Sequence, residues 1–252
     1  MIIDADCHIS PVPLPGGSIT FDELLRRMDR AGVDKALTWL QPPYTRHLDE
    51  ANAYVHAAAQ AHPDRILPFG WADPNLGVQS AIDMVHRCID DYAFLGVKLN
   101  GAQNSFYIDD PNLSLPVVEA IAATGKLIAF HIGSDAFDAT HPFRLAKIAR
   151  QYPDLRILVV HMGGVGHQDM TNAVLEFARE CPNMFLIGSA VRTGAILKAI
   201  DALGADRVCF GSDTPFELMH VEVARYQAML SNLPEPDRER VMSGTIAKLC
   251  GT

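Results

Sequence analysis

Several short apolar runs in this chain end in a side chain that can bind a metal ion or transfer a proton. The first run leads to Asp6 and His8, and three later runs end at His131, at His161 and, with a short Gly-Ser step, at Asp213. A polar side chain placed directly after such a run is half buried and needs a partner. Because these positions are spread from residue 6 to residue 213, we expect the fold to bring them together in one site.

Asp6 and His8 stand two residues apart, so in a strand both side chains lie on the same face. A carboxylate and an imidazole together can bind one divalent ion and leave positions open for water and substrate. Taken singly, Asp6 is equally consistent with a turn cap, and His8 with an ordinary loop histidine. His131 and His161 are each followed two residues later by glycine, which is typical of a strand that breaks into a loop.

Asp213 and Lys98 are two further charged candidates. Asp213 lies between Gly-Ser and Thr-Pro, where a carboxylate can accept a proton from a metal-bound water, ligate the metal, or simply cap a turn. Lys98 is the lone charge in the apolar stretch 95–99. It could pair with a substrate carboxylate or a site aspartate, become carboxylated and bridge two metals, or extend to the rim of the fold.

Polar residues in the segments after other predicted strands are candidates for substrate binding. Arg46 follows the second strand, Gln103 follows the fourth and Arg192 follows the seventh. Guanidinium groups match carboxylates in shape, so the two arginines favour an anionic substrate. A single arginine is nevertheless more often an ordinary surface residue.

Strand-like and helix-like segments alternate along the whole chain. The apolar pattern predicts strands near 2–6, 34–39, 66–72, 94–99, 127–131, 156–161, 184–188 and 207–211. Helical spacing follows each of them, and one extra helix is predicted at about 235–249. This count predicts an α/β fold, a single-domain (β/α)8 TIM barrel over residues 1–252 with its site at the C-terminal ends of the strands. A doubly wound sheet is the alternative, although it normally gathers its site at one switch point.

The composition narrows the class of partner. A net charge of −9 without a Lys/Arg block argues against a nucleic acid or an anionic membrane. The five cysteines include no CxxC pair, and the N-terminal segment lacks the features of a signal peptide. No stretch reaches the roughly 18 apolar residues of a membrane span. We therefore expect a cytoplasmic protein that acts on a small molecule and that could form a homo-oligomer.

Six motifs occur in an order that resembles the amidohydrolase-related family, the branch of the amidohydrolase superfamily that includes aminocarboxymuconate-semialdehyde decarboxylase. They are Ile3-Asp4-Ala5-Asp6-Cys7-His8, His62-Pro63-Asp64-Arg65, Gly96-Val97-Lys98-Leu99, His131-Ile132-Gly133, His161-Met162-Gly163-Gly164 and Gly211-Ser212-Asp213-Thr214-Pro215. The resemblance spans nearly the whole chain. It implies that Asp6, His8, His131 and Asp213 bind one divalent ion, zinc or manganese, and that His161 moves protons beside it.

The first ligand position departs from the usual family pattern. That position is usually histidine, and this chain has Asp6, which is similar to the Glu-x-His of some non-oxidative aromatic decarboxylases of the branch. A carboxylate makes the ligand set harder, which favours manganese or magnesium over zinc.

Two reactions would use the same residues. In the first, a metal-activated water hydrolyses an amide, ester or lactone of a small, carboxylated metabolite, and Asp213 or His161 takes the proton. In the second, His161 protonates the carbon that loses carbon dioxide. Hydrolysis is the leading expectation because the superfamily at large favours it and the chain is shorter than the decarboxylases. A barrel without catalytic activity is disfavoured because the later site positions are retained.

Overall fold

Parallel strands form the centre of the computed structural model of this chain, which describes residues 1–14, 17–42 and 47–252. Every ladder between the named strands is parallel. The strands are β1 (Ile3–Ile9), β2 (Lys35–Leu40), β3 (Ile66–Pro68), β4 (Gly70–Ala72), β5 (Gly96–Leu99), β6 (Leu127–Gly133), β7 (Ile157–Val165), β8 (Met184–Ile187) and β9 (Val208–Cys209).

Helices follow the strands in sequence and cover the outside of the sheet. They are α1 (Phe21–Ala31), α2 (Leu48–Ala61), α3 (Val78–His86), α4 (Leu115–Ala123), α5 (Pro142–Gln151), α6 (Thr171–Glu180), α7 (Thr193–Leu203), α8 (Met219–Leu230), α9 (Glu235–Glu239) and α10 (Thr245–Cys250). A π-helical turn joins α9 to α10, so the segment predicted as one extra helix is built from three pieces. Within the described ranges, no helix is both long enough and apolar enough to cross a bilayer.

The first and last strands bond to each other and close the sheet into a barrel. The Ala5 N–H donates to Phe210 O at 3.0 Å, and the His8 N–H donates to Thr214 O at 2.8 Å. The strand predicted at 66–72 is divided at Phe69, whose N–H donates to Thr38 O at 2.9 Å. With β3 and β4 counted as one barrel strand, the described residues give eight strands in chain order. The predicted parallel α/β barrel is confirmed, and closure rules out the doubly wound alternative.

Two apolar layers stabilise the barrel. The inner layer contains strand residues such as Ile3, Ala5 and Leu158, and α10 adds Ile246 and Leu249 to it. The outer layer packs the opposite strand faces against the helices. In α1, for example, Leu24 and Met28 are buried four residues apart, as the period of an amphipathic helix requires.

A β-bulge on β1 changes which side chains face the inside of the barrel. Asp4 pairs with Ala36 and Cys7 pairs with Thr38, so two residues of β1 lie opposite one residue of β2. Before the bulge, Ile3 and Ala5 belong to the inner layer, whereas after it Cys7 and Ile9 belong to the outer layer. The bulge therefore turns the alternate positions Asp6 and His8 inward.

Gly96 and Gly194 provide a matched test of barrel packing. A Cβ on Gly96 would collide with the Leu127 carbonyl and the Phe69 ring, whereas a Cβ on Gly194 would meet nothing within 4 Å. We expect Gly96→Ala to lower the free energy of unfolding by about 1–3 kcal/mol, the usual cost of overpacking. Gly194→Ala, within α7, should raise it by about 0.5–1 kcal/mol. Urea unfolding measures both, and equal stability of the two variants would contradict this packing.

Candidate active site

A cavity of about 160 Å³ lies at the C-terminal ends of the barrel strands. Drug-sized ligands need roughly 300–1,000 Å³, so this volume suits one small molecule. The cavity is lined by His8, Pro42, Lys98, Asn100, Gln103, His131, Asp135, His161, Val165, Asp213 and Phe216. Most of the candidates from the sequence therefore surround one small space.

A cluster of acidic and imidazole groups forms one side of this site. Asp6, His161 and Asp213 each offer a ligand atom, and these atoms lie within 4.8 Å of one another. His8 joins them, because its Nε2 lies 3.4 Å from Asp6 Oδ1 and 3.6 Å from Asp213 Oδ1. All four side chains are buried. Residues from the first, sixth and eighth barrel strands and the segments after them thus converge, as the sequence predicts.

Hydrogen bonds fix the orientation of the His8 ring. The indole N–H of Trp39 can only donate, and it lies 3.1 Å from His8 Nε2. The proton of a neutral His8 is therefore on Nδ1, which donates to Leu40 O at 2.9 Å. Nε2 consequently presents a lone pair toward the two carboxylates.

This arrangement of acceptors fits a cation. Asp6 Oδ1 is buried and has no hydrogen-bond partner, although a buried polar atom normally has one. Burial opposes ionisation of Asp6, but the positive charge of Lys98 holds the pKa of Asp6 well below its usual range. An ionised Asp6, Asp213 and the His8 lone pair are the hard oxygen and imidazole donors that manganese and zinc accept. A bound ion would replace the Trp39 hydrogen bond at Nε2.

Ser189 connects Asp6 to His161. Its hydroxyl donates to Asp6 Oδ2, and its backbone carbonyl lies 3.1 Å from His161 Nδ1. A carbonyl oxygen only accepts, so Nδ1 of His161 carries a proton and Nε2 is the basic nitrogen. One serine therefore orients a carboxylate and an imidazole of the site together.

Backbone in the left-handed region helps to aim two of these side chains. Strand alternation would place His161 with Ile157 and Val159, which belong to the outer layer. Instead φ is +63° at His161 and +38° at Met162, and His161 lines the cavity. Asp213 has φ of +59°. Positive φ is unfavourable for residues other than glycine and is concentrated at functional sites.

His131 lies beside the cluster and is paired with Asp135. Its Nε2 lies 2.9 Å from Asp135 Oδ2, and its ring centroid lies 4.7 Å from that of His161. Burial lowers the pKa of His131, although the hydrogen bond with Asp135 partly opposes this change. The lowered pKa favours the neutral imidazole. With its Nε2 proton donated to Asp135, His131 keeps a lone pair on Nδ1. Its role as a metal ligand remains a prediction.

Lys98 is fully inside the barrel. Only 1% of it is exposed, and its Nζ lies 3.7 Å from the ring centroid of Trp39 and 5.1 Å from that of Trp71. Burial lowers the pKa of Lys98 to about 8, and the negative charges of Asp6 and Asp213 partly oppose this change. Lys98 lines the cavity, so the alternative of a lysine that extends to the outer rim is wrong.

The other predicted substrate contacts have different outcomes. Gln103 lines the cavity, and its Oε1 is buried without a hydrogen-bond partner. Arg192 is exposed at the start of α7 and does not line the cavity, because the chain has already turned outward after the buried Val191. A substrate contact from Arg192 therefore remains a prediction. Arg46 lies outside the described residues.

The sequence reasoning missed several residues of the site. Trp39, Asp135 and Ser189 each bond to one of the predicted residues. Asp135 and Ser189 could have been found, because each comes just after a glycine at the end of a strand. Phe216 was not predicted either. Its ring lies 5.5 Å from that of His8 in an edge-to-face contact.

Comparison with known proteins places this barrel in a family. Residues 3–251 match the family described as amidohydrolase. The chain therefore belongs to the amidohydrolase family of enzymes, which confirms the family resemblance seen in its motifs.

Curated relatives of this chain are decarboxylases. It is 25% identical over 276 residues to the gamma-resorcylate decarboxylase of a Rhizobium strain. The aligned region covers 87% of this chain and 84% of that protein. It is 21% identical over 249 residues to 2-amino-3-carboxymuconate-6-semialdehyde decarboxylase of Dictyostelium discoideum. The aligned region covers 84% of this chain and 69% of that protein.

Solved structures share the fold. The 5-carboxyvanillate decarboxylase of Sphingomonas paucimobilis superposes with a TM-score of 0.80 at 20% identity, covering 99% of this chain and 98% of that one. A dihydroxybenzoic acid decarboxylase of Polaromonas, with bound manganese and the inhibitor 2-nitroresorcinol, superposes with a TM-score of 0.77 at 23% identity. The superposition covers 99% of this chain and 96% of that one.

Ser189→Ala tests whether this serine positions the metal-competent carboxylate. Groups that hydrogen-bond to metal ligands typically contribute 10–100-fold to metal affinity. We expect Ser189→Ala to weaken manganese binding about tenfold in a calorimetric titration, because Asp6 loses its hydroxyl donor. Ser231→Ala is the matched control, since that hydroxyl donates to Ala228 O on the surface. Equal affinity of the Ser189 variant and the wild type would contradict the positioning role.

Proposed function

We propose that this protein is a metal-dependent, non-oxidative decarboxylase of a small aromatic carboxylate. The observation that carries the proposal is the set of buried acceptors from Asp6, His8 and Asp213 beside a cavity that suits one small molecule. The curated relatives support the choice of reaction, since they are named as decarboxylases. Decarboxylation was the alternative from the sequence, and the relatives favour it over hydrolysis.

Asp6, His8 and Asp213 are the centre of the proposed metal site, with His131 as the fourth ligand. A histidine ligand must be neutral, and it usually donates its second ring N–H to a carboxylate or a backbone carbonyl. His8 does so to Leu40 O, and His131 does so to Asp135. The two carboxylates favour manganese as the ion, and manganese is bound in the Polaromonas decarboxylase. When bound, the ion would attract the oxygen atoms of the substrate and neutralise their charge.

His161 is the proposed proton donor. Decarboxylation breaks the bond between the ring carbon and the carboxylate, releases carbon dioxide and leaves an electron pair on the carbon. A proton must then reach that carbon. His161 lines the cavity, and Ser189 holds its Nδ1–H, so protonated Nε2 is the position from which a proton can be transferred. Proton transfer regenerates a neutral imidazole that can take a proton from solvent for the next cycle.

Apolar side chains complete the proposed substrate site. Pro42, Val165 and Phe216 line the same cavity as the charged residues. They offer apolar contacts to an aromatic ring whose oxygen substituents could face the proposed ion. This combination of a few polar groups with apolar walls is typical of small-molecule sites.

The first experiment measures metal content and the reaction together. We expect the manganese-loaded protein to release carbon dioxide from 2,6-dihydroxybenzoate or 5-carboxyvanillate. Asp213→Asn should abolish both activity and bound manganese, because one of two anionic ligands is lost. Metal is measured by elemental analysis and carbon dioxide by a coupled assay. A wild type that hydrolyses aryl esters or lactones but releases no carbon dioxide would contradict the proposed reaction.

Two histidine variants separate metal binding from proton transfer. His131→Asn should lose manganese and activity, whereas His161→Asn should keep manganese and lose at least about a hundredfold in kcat, the usual contribution of a positioned acid. The two rings contact each other with their centroids 4.7 Å apart, so the two variants alter neighbouring positions of the same site. Elemental analysis and steady-state kinetics give the result. If His161→Asn loses the metal and His131→Asn keeps it, the two roles must be exchanged.

A further inference from the structure

Lys98 is a buried ammonium group that has no hydrogen-bond acceptor among the described residues of the chain. It lines the cavity with 1% of its surface exposed, and its Nζ lies over the faces of Trp39 and Trp71. Among residues 1–14, 17–42 and 47–252, none forms a hydrogen bond or an ion pair with its Nζ. Aromatic faces attract a cation but supply no lone pair for its three N–H bonds. A molecule bound in the cavity can supply these acceptors.

A second group in the same cavity also lacks a partner. Gln103 Oε1 is buried and accepts no hydrogen bond from the described part of the chain. A buried ammonium and a buried amide oxygen together suit a ligand edge that carries both an anionic oxygen and a hydroxyl. We call Lys98 and Gln103 the polar subsite.

Resting on the proposed function, we propose that Lys98 binds a carboxylate that the substrate keeps after decarboxylation, so the substrate is an aromatic dicarboxylate. The departing carboxylate becomes neutral carbon dioxide. A lysine bound to it would stabilise the reactant more than the transition state and would slow the reaction. A retained carboxylate keeps its charge throughout, so its ion pair with Lys98 anchors the ring without opposing bond cleavage.

The charges of the site agree with this division. Asp6 and Asp213 contribute two negative charges, which a divalent ion would balance. Asp135 is paired with His131, and Lys98 is the only Lys or Arg among the described residues that line the cavity. Lys98 is therefore the fixed positive charge that remains for one carboxylate of the substrate.

The two tryptophans of the chain report on this subsite directly. The sequence contains two tryptophans, and both rings lie within 5.1 Å of Lys98 Nζ. A ligand that pairs with the ammonium changes its contact with these rings. Tryptophan fluorescence therefore follows occupancy of the subsite without any turnover.

The test uses two product-type ligands on the manganese-loaded protein. Vanillate, the product expected from 5-carboxyvanillate, keeps a carboxylate, whereas resorcinol keeps only hydroxyl groups. We expect Lys98→Met to weaken vanillate binding at least about tenfold and to change resorcinol binding less than about twofold, since a hydrogen bond to a charged group is the interaction removed. Lys198→Met is the matched control, because that lysine is exposed and bonds to Asn172. It should bind both ligands as the wild type does.

Three results would overturn the proposal. They are no binding of vanillate to the wild type, unchanged vanillate binding in Lys98→Met, and an equal loss for both ligands. The far-ultraviolet circular dichroism of Lys98→Met shows whether the variant is folded, and Lys98→Gln repeats the test with a polar neutral side chain. Carbon dioxide release is measured separately. Binding of vanillate through Lys98 without any release of carbon dioxide would uphold the subsite and refute the proposed reaction.

Discussion

Strict alternation of side chains is the constraint that this site has to overcome. Along a barrel strand, successive residues face the inside and the helices in turn. A continuous β1 with Ile3 and Ala5 inside would send Asp6 and His8 into the outer apolar layer, where ionised groups are costly. The bulge between Asp4 and Cys7 reverses the alternation, and left-handed backbone at His161 has the same effect on β7. Both departures stand where the chemistry is needed.

The electrostatic balance of the site follows from that convergence. The lone pair of His8 Nε2 faces two carboxylates, since this atom lies 3.4 Å from Asp6 Oδ1 and 3.6 Å from Asp213 Oδ1. Hydrogen bonds around the site point the imidazole protons away from the carboxylates. Nδ1–H of His8 donates to Leu40 O, Nδ1–H of His161 donates to Ser189 O, and Trp39 donates to His8 Nε2. Acceptors then face one another without a proton between them. A divalent cation can bind all of these acceptors at once, whereas burying them among apolar groups alone is costly.

Lys98 adds a fixed positive charge to the same cavity. Two tryptophan rings support it without neutralising it, which leaves its N–H bonds available to a ligand. The cavity thus combines an anionic cluster suited to an ion with a cationic group suited to a carboxylate. A small acidic molecule can bridge the two, and this polarity connects the fold of the site to the proposed substrates.

The sequence by itself determined the alternation of strands and helices, the family, and the positions of Asp6, His8, His131, His161 and Asp213 at strand ends. It could do so because apolar periodicity and strand-end polar residues are local signals. Tertiary structure alone decided the bulge, the inward turn of His161, and the roles of Trp39 and Ser189, because these depend on register and contacts between distant segments. It also decided that Lys98 enters the cavity while Arg192 stays outside. A lone charge in a sequence carries no information about which side of a closed barrel it faces.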